Sequence, residues 1–368
     1  MIENQEKKSL DEVLGHFCHG NRAVRCSGLE GAAMAYAASR LYTTCRAPLL
    51  MVVASPREAE AFMADLAFFA GSPPPPLLYF PPYNVLPFGS LTYHNDLSAR
   101  RIRTLYELEN AERPPLLVTT VAGLLQKIVP KAILNDYSDI VMAGEDIDRE
   151  GLIRKLVAGG YSRCAIVEEP GDFSVRGGVL DLFTPFYDDP LRIELFGDMV
   201  ESLRFFSPTT QRTAAHAQEA VILPAREAIL DLAEVAPALE RIRDGAHADG
   251  LPIPKIREVA ARIEAEGAFP GLERLMPFLY GSMDTLFDFL PSGSRILLSG
   301  PETLRETAAE LWGAIEEKYA AAVGDGRVCA RPDALFDTWD DVEARLAENP
   351  PLSISPLPVA RGGGDRAE

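Results

Sequence analysis

Two stretches hold residue types that could do chemistry, and the first fails the test for it. Phosphate binding needs Gly-x-x-x-x-Gly-Lys-[Ser/Thr]: backbone amides hold the phosphates, the lysine reaches the outer ones and the hydroxyl binds magnesium. The chain offers Gly28-Leu29-Glu30-Gly31-Ala32-Ala33-Met34-Ala35. Met34 takes the lysine's place, Ala35 the hydroxyl's and Ala33 that of the second glycine, while Glu30 adds a charge that repels phosphate. Gly28, Gly31, Met34 and Ala35 therefore read either as a degenerate, non-functional nucleotide loop or as a plain Gly-Ala helix start packed on a sheet, and on both readings no cofactor is expected. A motor would also carry an acidic pair at another strand end, to hold magnesium and activate water. Ser299-Gly300-Pro301-Glu302 has no such pair and reads as a capping box opening a helix. No catalytic residue is expected in this chain.

The second stretch, Glu168 to Thr213, presents charges on what reads as a small β-rich unit. Phe173 and Val175 lead to Gly177-Gly178, where a bulge or close backbone approach is expected, and Val179, Leu180, Leu182 and Phe183 resume the strand pattern. Leu191, Ile193 and Leu195 alternate with Arg192, Glu194 and Phe196, and Gly197-Asp198 then suits a type II′ hairpin. That register sets Phe196 opposite Met199 and Glu194 opposite Glu201, with Arg192 on the same face. Opposed carboxylates are unfavourable unless a cation lies between them. Such a face is either the solvated outside of a half-buried sheet or a pre-ordered docking surface. An arginine beside a glycine bulge is placed for bidentate pairing with a partner carboxylate, which puts Arg176 first. Arg163, Asp181, Phe183, Arg192, Glu201 and Arg204 join it as candidate partner contacts. Arg176 could instead pair internally with Asp181 or Glu194.

Two further clusters carry less. His16, Cys18, His19 and Cys26 match no standard metal-site spacing, so no metal is expected. The five cysteines are odd in number, scattered and without a Cys-x-x-Cys pair, which suits reduced thiols. Tyr79, Phe80, Tyr83, Phe88 and Tyr93, followed by Arg100, Arg101 and Arg103, could stack on single-stranded DNA. The acidic balance favours the plainer arrangement, with aromatics packed on a sheet edge and solvated arginines.

The elements that must position these residues follow from apolar spacing. Leu10, Val13, Leu14 and Phe17 mark a helix, Ala23 to Ser27 a short strand, and Leu49 to Ala54 a strand buried on both faces. Ser55-Pro56-Arg57-Glu58 caps a helix bearing Ala59, Phe62, Met63, Leu66 and Phe69, which completes a strand-helix unit of a parallel sheet. Leu116 to Val121 is another buried strand, with a helix to about Val129. Leu152, Ile153, Leu156 and Val157 mark a helix stopped at Gly159-Gly160. Ala220 to Pro224 and Arg295 to Leu298 read as strands. The expected fold is an α/β parallel-sheet domain with a degenerate P-loop, helicase-like and discontinuous, split by a smaller α+β insert that contains the hairpin. Its halves are residues 1–130 and 216–350, the insert 131–215, and 351–368 a flexible tail.

The run GDFSVRGGVLDLF, then RIELFGDMVESLRFF and SPTTQRT, resembles the module shared by bacterial transcription-repair coupling factors (Mfd) and the excision-repair subunit UvrB. In both families the small domain docks onto UvrA, so the resemblance implies a UvrA-binding surface on the insert. It covers nearly the whole chain. The missing nucleotide loop and a short aromatic segment, where UvrB has a long hairpin, side with the coupling factors. Complete members also bind RNA polymerase and translocate on double-stranded DNA, through regions absent from these residues, which suggests a truncated chain. The resemblance thus implies a docking module that recruits UvrA to stalled transcription complexes. The alternatives are a UvrB-like damaged-DNA-binding subunit and an NTP-dependent helicase fragment.

Composition sets outer limits. A formal charge of -18 disfavours tight non-specific binding to nucleic acid by this chain alone. No apolar run approaches the roughly twenty residues of a membrane span and the polar N-terminus lacks a signal-peptide pattern, so a cytoplasmic protein is expected.

Overall fold

Continuous apolar runs become the centre of a parallel sheet. The computed structural model describes residues 9–356 except 21, 72, 90–94, 249 and 270. The first strands are β1 (Val24–Ser27), β2 (Leu49–Val53), β3 (Leu77–Phe80) and β4 (Leu116–Thr120). Eight follow in the middle of the chain: β5 (Asp139–Met142), β6 (Ser162–Arg163), β7 (Asp172–Arg176), β8 (Val179–Leu182), β9 (Leu191–Phe196), β10 (Met199–Phe206), β11 (Thr213–Ala217) and β12 (Glu219–Ile222). β13 (Arg295–Ser299) and β14 (Leu352–Ser355) return to the first sheet, whose order is β1-β14-β13-β2-β4-β3 with every pair parallel.

Because successive side chains of a strand point to opposite faces, this sheet feeds two cores. Leu49, Met51 and Val53 join Leu14, Phe17 and Leu41 on one side, where α1 (Leu10–His19), α2 (Ala32–Cys45) and α3 (Pro56–Phe69) pack. Leu50 and Val52 join Ile102, Leu105 and Leu124 on the other, with α4 (Asn95–Glu109) and α5 (Val121–Leu125). Ser55 caps α3 by accepting from the Glu58 amide, as its spacing predicts. The helix Pro301–Gly324 starts differently: its N-cap is Gly300, at φ 60, and Ser299 ends β13 instead of capping. Two more expectations change. The helix after β4 stops at Leu125, and the chain then crosses to form bridges at Gln126 and Ile128. Leu352–Ser355, expected in a flexible tail, is β14, held between β1 and β13.

The cysteine reading also needs correction. Cys18 in α1 and Cys45 in α2 are far apart in sequence, yet the packing of those helices brings their Cα atoms to 5.1 Å and the two form a disulfide. Cys26, Cys164 and Cys329 stand outside any disulfide. Among the described residues no group of acids, histidines and cysteines could hold a metal ion.

The insert is an antiparallel sheet in the order β11-β10-β9-β8-β7, extended by β6 parallel to β7, and a β12-β5 pair. Phe173, Leu180, Leu182, Leu191, Ile193 and Leu203 pack with Leu152 and Leu156 of α7 (Arg149–Ala158) and with Ala220 and Ile222 of β12. β12, expected to resume the first domain, therefore belongs with the insert. Conversely α6 (Lys131–Asp136) buries Leu134 in the core of the parallel-sheet domain.

The junction between the two is sealed by an ion pair. Arg101 of α4 and Glu227 lie at 0% and 1% side-chain exposure, with Nε donating to Oε1 at 2.5 Å and Nη1 to the Pro81 carbonyl at 2.8 Å. The guanidinium stacks on Phe80 and Tyr83, at 4.1 and 4.3 Å from the ring centroids. Arg101 is thus neither solvated nor available to DNA, because the sheet-edge aromatics close over it. Tyr93 lies outside the described residues. Beside this clamp an edge-to-face chain, Tyr106–Phe186–Tyr187, runs on to Phe205 of β10 and packs α4 onto the insert.

Candidate docking site

Two tight turns build the charged face. Gly177-Gly178 joins β7 to β8 with Arg176 opposite Val179; Gly177 takes φ 58, a left-handed conformation that costs glycine little. The pair is a hairpin turn, not a bulge, and the expected close approach occurs at Gly178, where a Cβ would lie 2.6 Å from the Leu195 carbonyl oxygen. Gly197-Asp198 joins β9 to β10 and sets Phe196 opposite Met199, with φ 64 at Gly197 as the hairpin requires.

The next pairing differs from expectation. A bulge between Val200 and Ser202 takes Glu201 out of register, so Ser202 faces Glu194 and the two carboxylates do not oppose each other. Ser202 Oγ donates to Glu194 Oε2 at 2.6 Å, and Arg204 Nη2 bonds Oε1. The bulge thereby supplies a hydroxyl and a guanidinium where an unbroken ladder would have placed a second acid.

Facing residues share a side of the sheet, so Ser174, Asp181, Arg192, Arg204 and His216 form one row across five strands. Asp181, 1% exposed, is its buried centre. Arg192 binds it through Nε at 2.6 Å and Nη2 at 2.9 Å, and Arg176 through Nη2 at 2.6 Å. The bond to Asp181 raises the Arg192 pKa further above its ordinary value. Arg192 also lies 4.8 Å over the Phe206 ring. Phe206, Phe183 and Val167 form a small buried cluster closing that end of the face. Gln211, at φ 58, holds the cover by donating to the Val167 carbonyl.

Not every candidate reaches the surface. Asp181 and Phe183 are buried, so they position arginines and cover instead of offering atoms to a partner; the buried acid is what keeps the guanidiniums fixed. Arg176 makes the internal pair that its spacing allowed, yet keeps 53% of its side chain exposed. Glu201 is exposed in the bulge. Arg163, exposed on edge strand β6, is in register with Phe173, so it falls outside the row. Sequence reasoning passed over Phe196, 77% exposed, which with Met199 forms an apolar tip on the same side as Arg192 and Glu194. The signal was present: the alternation that buries Leu195 turns Phe196 out.

The nucleotide loop is filled from within. α2 begins after Gly31 with no side-chain cap, Ala35 is fully buried, and Met34 packs against the core beneath. The Gly28 amide, which a phosphate would need, donates to the Ser355 carbonyl at 2.8 Å.

Known proteins match along this layout. The family model of the UvrB interaction domain matches residues 140–227, which span the insert's strands. The transcription-repair-coupling factor of Myxococcus xanthus is 36% identical over 344 residues, 91% of this chain and 29% of that protein. Those of Bacillus subtilis and Escherichia coli are 24% and 26% identical over 88% and 89% of the chain, each with 28% of its own length covered. The chain spans less than a third of the length of these relatives. Taken with the parallel sheet, the inserted domain and the displaced nucleotide loop, these matches show that the chain belongs to the transcription-repair-coupling factor family.

Proposed function

We propose that the charged face of the insert docks UvrA and that the chain recruits it to stalled transcription complexes without hydrolysing nucleotide itself. The observation that carries this is the pair of arginines, Arg176 and Arg192, ordered from below by buried Asp181 on the face that also bears the exposed Phe196–Met199 tip. A surface of fixed guanidiniums around an apolar anchor has the composition that dominates protein interfaces. Arg176, Arg192, Arg204, Glu201 and Phe196 are the contacts on this reading, with Arg163 a flanking one. Residues that the longer relatives hold outside the matched region would bind RNA polymerase and double-stranded DNA. Such a repair factor works in the cytoplasm, and among the described residues no helix is long and apolar enough to cross a membrane.

The test is calorimetric titration with UvrA, wild type beside Arg176→Ala, with circular dichroism to check folding. The expected result is a loss of about 2 kcal/mol in binding by a folded variant. No binding by the wild type would overturn the docking assignment, and ATP turnover by the isolated chain would overturn the non-hydrolytic one.

A further inference from the structure

We infer that Cys18 and Cys45 form a thiol–disulfide exchange site held strongly in its closed form, a staple between α1 and α2 that monothiol reductants leave intact. Three independent features lead there. A 5.1 Å Cα separation lies inside the range that a disulfide spans without backbone movement. The helices are also docked by contacts that owe nothing to the bond. Leu14 and Phe17 of α1 are buried in the core, Arg295 donates to the Cys18 carbonyl at 2.9 Å and the Gly20 carbonyl at 3.4 Å, and Arg40 pairs with Asp11. An opened pair therefore keeps its sulfurs close, and high effective concentration favours reclosure over a mixed disulfide with a diffusing thiol.

The third feature is electrostatic. Cys18 lies in the last turn of α1 and Cys45 is the last residue of α2, where the negative end of the helix dipole opposes the charge of a thiolate. Oxidising disulfides gain their reactivity from a stabilised thiolate, commonly at a helix N-terminus. This pair has the reverse arrangement at both sulfurs. His16, His19 and Arg46 act the other way but are solvent-exposed and screened, whereas half-buried Arg295 at the Cys18 carbonyl offsets part of the effect there, which leaves Cys45 the more strongly opposed sulfur. Opening by two glutathione molecules breaks the Cys18–Cys45 bond, forms one bond in glutathione disulfide and leaves one proton on each cysteine sulfur. The external couple supplies both electrons.

The experiment equilibrates the chain in glutathione buffers of stepped ratio, traps thiols with N-ethylmaleimide and maps each cysteine by mass spectrometry. The Cys18–Cys45 peptide pair should still predominate at roughly hundredfold excess of reduced over oxidised glutathione, and should open with excess dithiothreitol. A pair already mostly thiol at equal concentrations of the two forms would overturn the inference. Hydrogen exchange on Cys18→Ser gives a separate check. α1 amides that remain protected support independent docking of the helix, whereas free exchange along α1 would remove the preorganisation on which the closed state rests.

Discussion

Glu227 and Asp181 are both about as buried as a carboxylate can be, each 1% exposed and each under arginine, yet one seals a junction and the other builds a surface. The difference lies in the cation. Arg101 is itself buried, binds Glu227 and the Pro81 carbonyl, and has aromatic rings against it. Arg176 and Arg192 keep 53% and 22% of their side chains exposed while Asp181 fixes their forks from beneath. A buried acid with a buried cation is a clamp that must stay whole. A buried acid with cations that reach the surface is a mount, which orders charge there at little loss of hydration.

Glu227→Ala should produce the largest effect. It would take away the carboxylate that answers the Arg101 charge in the interior, and the loss expected in urea unfolding is about 3–5 kcal/mol. Asp181→Asn should cost less, about 1.5–3 kcal/mol, because water can reach the released arginines. That variant should also lose UvrA affinity, since the guanidiniums are no longer held. If the two substitutions destabilise equally, exposure of the cation is not what separates clamp from mount. Phe196→Ala sharpens the contrast from the other side. Stability should change by under about 0.5 kcal/mol for so exposed a ring, while UvrA binding falls at least tenfold in titration.

What the sequence discloses of this comparison follows from how local each feature is. Periodic apolar spacing finds α1, α3 and α7, because burial on one side of a helix repeats about every 3.6 residues, and continuous apolar runs find β2 and β4, which are buried on both faces. The Gly197-Asp198 turn finds the hairpin and the Phe196–Met199 pair. The bulge at Glu201 leaves no such mark, since an extra residue within an alternating strand looks like ordinary alternation until the partner strand is seen. Arg101 and Glu227 are 126 residues apart, and Cys18 and Cys45 are 27, so their pairing depends on tertiary packing alone. β14 is hidden by the Pro-rich and Gly-rich residues that follow it, and β12, legible as a strand, is placed with the insert only by its pairing with β5. The face was legible in its charges; which charge lies beneath and which above was not.

The smallest effect concerns a second acid at the sealed junction. Glu273 is buried beside Arg226 and Glu227, and its Oε2 accepts from the Gly271 amide at 3.0 Å. Burial is the main cause that raises its pKa above the ordinary carboxylate value, and Glu227 adds to it. Between the ordinary value and the raised one the folded chain holds more protons than the unfolded chain, so stability from this group falls as pH rises through that window. Glu273→Gln keeps an oxygen for the Gly271 amide and removes the charge. The variant should therefore be more stable than wild type at neutral pH, by under about 1 kcal/mol, with the advantage vanishing in acid. Urea midpoints of both proteins across the acidic range decide the matter. A gap that does not change with pH would mean that Glu273 titrates as if solvated, and that water reaches the junction which Arg101 and Glu227 close.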